Sequence, residues 1–154
     1  MIMNQKGRGN DNFQTPRHIF RQLNDIFNFT LDVAASEENH LCDYFFTKED
    51  NALERGWALQ RAFCNPPFSL KADFIEKAHN EVSKNNCPIC VMILPLNSMD
   101  TKAWHDFIEG KYHYEVLRGR ISFIDPETQK PKSGNNSGTV IVYFKNRIEI
   151  RREN

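Results

Sequence analysis

The residues best suited to chemistry stand together at Asn65-Pro66-Pro67-Phe68, after the apolar approach Ala62-Phe63-Cys64 and before the polar Ser69 that opens an amphipathic stretch. They suit transfer of a methyl group to an amino nitrogen conjugated with a ring or carbonyl. Such a nitrogen is a poor nucleophile, because its lone pair is delocalised. The Asn65 side-chain oxygen and the backbone carbonyl of Pro66 can each accept one N–H of the amine, favouring the pyramidal nitrogen of the transition state by preorganised hydrogen bonding. Pro66 and Pro67 fix φ, and the residue before each is pushed out of the helical region, so the acceptors are set before substrate arrives. Phe68 offers a flat face for stacking. The same four residues also make an ordinary strand-ending turn with Phe68 plugging a core, and the motif alone leaves that alternative open.

The elements that must position this loop follow from the hydrophobic pattern. Ile19, Phe20, Leu23, Ile26 and Phe27 have helical spacing, with Thr15 placed to cap the helix and Pro16 at its first position. Phe29 to Ala35 reads as a buried strand that delivers Asp32 near its carboxyl end, with small residues after it and a helix opened by Ser36. A carboxylate there can favour a cationic amino acid or bond a ribose, or be paired structurally. Glu37 to Cys42 is expected to form a brief helix and Tyr44 to Phe46 a short strand. Asp50 follows, either capping the next turn or accepting a bond from an adenine or ribose. Ser69 to Lys84 reads as an amphipathic helix, Cys87 to Leu96 as a central strand and Asp100 to Ile108 as a helix. This alternation predicts an α/β fold with a mainly parallel sheet covered on both faces. Tyr114 to Ile124 and Gly138 to Phe144 read as a C-terminal antiparallel hairpin, joined by a long flexible loop from Asp125 to Ser137 that carries Lys130 and Lys132.

With 154 residues the chain has room for one domain with a real core and is tight for two. The division expected is a flexible basic tail over 1–12, one domain over 13–147 and a charged tail over 148–154. No signal peptide or membrane-length apolar run is evident, so a soluble, cytoplasmic protein is expected. The formal charge is zero, yet residues 1–30, 31–110 and 111–154 carry net +2, −6 and +4. An acidic middle between basic ends suits a cationic cofactor at the centre and a phosphate backbone gripped from the sides, or is ordinary surface charge. Cys87-Pro88-Ile89-Cys90 has the spacing of a metal or redox pair, but no second pair completes a site and an apolar run follows directly. Reduced thiols and no metal are expected.

Four segments together carry a family resemblance: Phe13-Gln14-Thr15-Pro16, Leu31-Asp32-Val33-Ala34-Ala35-Ser36, Asn65-Pro66-Pro67-Phe68 and Leu117-Arg118-Gly119-Arg120-Ile121-Ser122-Phe123. The chain resembles the small phage-type, Dam-like DNA N6-adenine methyltransferases over nearly its whole length. That resemblance implies a Rossmann-like S-adenosylmethionine-dependent fold, double-stranded DNA as partner, and methylation of adenine N6 by base flipping and direct in-line transfer. It implies that Thr15, Pro16, Asp32, Val33 and Ala34 border the cofactor, with Asp50 a further contributor. Asn65 and Pro66 would hold the amine, with Pro67 stiffening the loop and Phe68 stacking on the flipped base. No separate large recognition domain is expected within these 154 residues, which leaves Ser69, Lys71, Arg118, Arg120, Lys130 and Lys132 to meet DNA. The chain departs from the wider superfamily in having Ala34-Ala35-Ser36 where a glycine-rich loop is usual. Methylation of cytosine N4, of guanine in RNA or of protein glutamine uses similar motifs, and an inactive DNA-binding module of the same fold is the alternative of another class.

Overall fold

The computed structural model describes residues 13–119, 121–131 and 138–146. The two expected tails, Arg120 and Lys132 lie outside the described residues. Strands β1 (Leu31–Asp32), β2 (Arg61–Cys64), β3 (Ile89–Pro95), β4 (His113–Val116) and β5 (Thr139–Lys145) form one sheet in the order β1-β2-β3-β5-β4. The β1-β2 and β2-β3 pairs are parallel, while β5 is antiparallel to both β3 and β4. Four of the described strands therefore share a direction, and β5 runs against them from within the sheet. The last two strands do pair antiparallel as expected, but β5 also adds to the central strand, so the hairpin is part of the sheet and not an appendage.

Strand alternation sorts the core into two layers. Ala62, Cys64, Cys90, Met92, Leu94, Val140, Val142 and Phe144 join one cluster, while Phe63, Ile89, Val91, Ile93 and Ile141 join the other. The first is covered by helices α2 (Lys71–Ser83) and α3 (Lys102–Phe107), through Phe74, Ile75, Ala78, Val82 and Trp104. The second is covered by α1 (Arg17–Phe27), through Phe20 and Leu23. Both faces of β3 are thus buried, which is why its sequence is an unbroken apolar run. Ile26, at helical spacing with that core face, is 68% exposed.

Buried polar groups tie α2 to the segment before β2. On α2, Glu81 accepts the N–H of buried Trp57 at 2.6 Å and the Lys77 ammonium at 3.2 Å, and Trp57 donates its ring N–H to the Ala52 carbonyl at 3.1 Å. Cys42, Cys64, Cys87 and Cys90 are buried free thiols. Cys87 Sγ faces the carbonyls of Gln60 and Ile89, and burial pushes this thiol up to about 12.

Three sequence expectations change. No helix follows Ser36: the Asn39 N–H donates to Ser36 Oγ at 3.0 Å, and the two backbones exchange hydrogen bonds, so the segment closes as a turn. Tyr44 to Phe46 contributes a single parallel bridge, Phe45 to Asp32, at the outer edge of β1. The strand expected to run to Ile124 stops at Val116, because Gly119 turns the chain at φ 74° and Ile124 pairs with Gln14 and Pro131 instead.

Candidate active site

The carboxyl ends of β1, β2 and β3 lie side by side, since Asp32 is in register with Phe63 and Cys64 with Met92. Asp32, Asn65 and Leu96 consequently begin three adjacent loops, the position at which open α/β sheets bind ligands. A groove of about 590 Å3 walled by Phe27, Ile89, Tyr112 and Tyr143 lies at the opposite end of the strands, away from these loops.

Asn65 follows the last residue of β2. Its Nδ2 donates to the Phe13 carbonyl at 3.1 Å, an acceptor 52 positions away in sequence. A carbonyl accepts only, so this contact fixes which end of the amide carries the NH2 and leaves Oδ1 as the accepting end. Phe13 is itself held, because Gln14 exchanges two backbone hydrogen bonds of 2.9 Å with Ile124. Pro67, at ψ 138°, then starts a short 3-10 helix over Phe68–Leu70 that leads into α2. Phe68 does not plug the core: its ring is 42% exposed, with the Lys71 ammonium 4.3 Å from the centroid.

Thr15 is not the helix cap. Pro16, at φ −58° and ψ 137°, is the capping residue, and no side chain caps the helix. Thr15 is 5% exposed, and its hydroxyl finds no hydrogen-bond partner among the described residues. The same holds for Ser98, in the 3-10 segment after β3, and for Thr139, at the adjoining start of β5. Buried polar groups are normally paired, so these three hydroxyls, on the segments around this end of the sheet, are exceptions among the described residues.

Asp32 holds its own loop in shape. Oδ1 accepts the Ala34 N–H at 3.2 Å and Oδ2 the Leu41 N–H at 3.1 Å. Burial pushes its carboxyl up to about 6, against those two bonds and nearby His40, which pull it down. The group is therefore mostly ionised at pH 7. Val33 is buried and continues the ladder to Phe63, while Ala34 is half-buried beside it. His40 has Nδ1 2.9 Å from the Cys42 carbonyl, and its ring stacks on Phe45 at 3.9 Å and 7°. A carbonyl partner requires the proton on Nδ1. Neither His40 nor the Phe13 carbonyl carried a local signal in the sequence.

Asp50 closes the turn before it. Its Oδ2 accepts from the Thr47 N–H at 2.9 Å and the Thr47 hydroxyl at 3.1 Å, bonds that hold its carboxyl below the usual range, and Arg55 stands 3.8 Å from Oδ1. Capping of the following turn falls to Asn51, which accepts from the Leu53 N–H. Of the expected DNA contacts, Ser69, in the 3-10 helix after β2, and Arg118, on the bend after β4, are exposed at the carboxyl end of the sheet. Lys130 is exposed on a turn tied together by Asp125, which accepts from the N–H of Glu127 and of Gln129 and donates to the Lys130 carbonyl. The described part of that connection is thus folded back by specific bonds.

The fold and this end of the sheet define a mixed α/β protein whose candidate-site loops follow parallel strands. Residues 3–153 match the DNA N-6-adenine-methyltransferase (Dam) family, and the chain belongs to it. It is 34% identical over 153 residues to a DNA N-6-adenine-methyltransferase of Escherichia phage T1, covering 88% of this chain and 63% of that protein. It is 29% identical over 145 residues to a DNA N-6-adenine-methyltransferase of Haemophilus phage HP1, covering 92% of this chain and 82% of that protein.

Proposed function

We propose that the chain transfers a methyl group from S-adenosylmethionine to N6 of adenine in double-stranded DNA, with residues 13–147 acting as one Rossmann-like domain. The observation that carries this reading is the Asn65 amide, turned by the Phe13 carbonyl so that Oδ1 is its accepting end, on a loop beside the end of β1. Oδ1 and the Pro66 carbonyl take the two hydrogens of the adenine amine, and the two prolines keep those acceptors from reorganising as the nitrogen becomes pyramidal. Phe68 stacks on the base once it leaves the duplex. Transfer is a direct in-line displacement at the cofactor's methyl group, helped by alignment of the reactants and needing no covalent enzyme intermediate.

The cofactor supplies, when bound, a methyl carbon on positively charged sulfur. The residues present fit such a group: Asp32 is a buried carboxylate suited to its cationic amino end or its ribose, and the Thr15 hydroxyl lacks a partner. Pro16, Val33 and Ala34 border the same space. Asp50 is a weaker candidate, because its charge already faces the Arg55 guanidinium 3.8 Å from Oδ1. Ser69, Lys71, Arg118 and Lys130, with Arg120 and Lys132, meet the DNA backbone, and the enzyme works in the cytoplasm, that of the host when phage-borne.

The test is transfer from labelled S-adenosylmethionine to a panel of unmethylated duplex DNA, RNA and protein, with mass spectrometry of the modified nucleosides. N6-methyladenine from duplex DNA is expected. Label on cytosine N4, RNA guanine or protein glutamine moves the acceptor, and DNA binding without any transfer indicates an inactive module.

A further inference from the structure

Lys71 opens α2, three positions after Phe68, and its ammonium lies over the Phe68 ring at 4.3 Å. Partial burial there lowers the lysine's pKa, an effect opposed by Asp100 from the segment after β3. Two loops, one after β2 and one after β3, thus hold a partly desolvated cation against an aromatic face. That ring is the platform to which the proposed function assigns the extruded adenine. A cation on an exposed ring favours the contact by a factor of about 2–5. A base stacked on an aromatic side chain is favoured by about 5–150. The base therefore wins the competition, and the lysine, a compact charge on a long flexible stem, is released beside a polyanion.

We propose that Lys71 holds the place of the target base: its ammonium covers Phe68 until the flipped adenine displaces it onto a DNA phosphate, so that base capture and phosphate grip are one exchange. The inference rests on the reading of Phe68 as the stacking platform and adds a positioning role to Lys71 beyond simple attraction to DNA. It gives a role to the contact between the exposed Phe68 ring and the Lys71 ammonium.

The test follows the ε-methylene protons of Lys71 by NMR in lysine-labelled protein, assigned by their loss in Lys71→Arg. In the free protein the ring current of Phe68 should shift them upfield, and Phe68→Leu should return them to the ordinary lysine position. Adding a duplex that carries the methylated site, with S-adenosylhomocysteine present, should also return them, while anisotropy of the labelled duplex reports binding in the same samples. In salt titrations, Lys71→Met should lower the log–log slope of affinity by about 0.9, and Phe68→Leu should leave it unchanged. An unshifted resonance in the free protein, or an upfield resonance that persists on saturation with DNA, overturns the exchange while leaving the methyltransferase reading intact. A duplex that neither binds nor is methylated overturns both.

Discussion

Replacing Asp32 by Asn removes a buried charge while keeping the shape of the side chain. The carboxyl titrates near 6 in the folded protein, against an ordinary value of 3.8. Folding therefore favours the protonated form, and the stability this confers is complete below pH 3.8 and lost as the pH rises through 6. A difference of about 2 units corresponds to about 3 kcal/mol at pH 7. Asparagine buries no charge at any pH; its one oxygen still accepts from Ala34 or Leu41, while its NH2 meets the other N–H donor to donor, a loss of about 1–3 kcal/mol that does not depend on pH. Between pH 4 and pH 7 Asp32→Asn should thus gain up to about 3 kcal/mol on the parent. Urea unfolding between pH 4 and pH 7.5, read as midpoint and slope, measures the gap directly. At pH 7 the same variant should bind S-adenosylmethionine more weakly. A difference from the parent that is the same at both pH values would refute the reasoning, because the bonds to Ala34 and Leu41 would then fully offset the cost of burying the charge.

Other consequences are narrower. Glu81→Ala should destabilise the fold by about 2–3 kcal/mol in denaturant unfolding, because the buried Trp57 N–H loses its acceptor and Lys77 its partner. Arg118→Ala and Lys130→Ala should each reduce the salt dependence of DNA affinity by about 0.9 in slope with the cofactor dissociation constant unchanged; an unaltered slope removes that residue from the interface. Phe68→Ala should lower kcat/KM by about 5–150-fold and leave the melting temperature near that of the parent, since the ring is exposed.

The turn at Asn65 to Phe68 was legible because its signal is local. Two prolines after an apolar strand fix the backbone whatever surrounds it, and Asp32 likewise announces itself at the end of a buried run. The misreadings occurred where distant contacts overrode local preference. Thr15 and Pro16 read as a cap and first helical residue, but Pro16 itself takes the extended capping conformation and leaves Thr15 buried. Ser36 to Cys42 has residues that start helices, yet Asp32 claims the backbone N–H groups of Ala34 and Leu41, and a turn forms between. The insertion of β5 between β3 and β4 follows from pairing that alternation cannot encode. Nothing near Phe13 or Asn65 announces a bond across 52 residues, although it is the contact that orients the amide.

The central claim is that Asn65 Oδ1 accepts a hydrogen of the adenine amine as the nitrogen attacks. Single-turnover methyl transfer by Asn65→Ala, with enzyme in excess over duplex, tests it most directly. The account predicts a rate about 100–1000-fold below the parent, with cofactor and DNA affinities changed only a few-fold. Transfer at the parental rate would contradict it and return Asn65 to the role of a strand-ending turn.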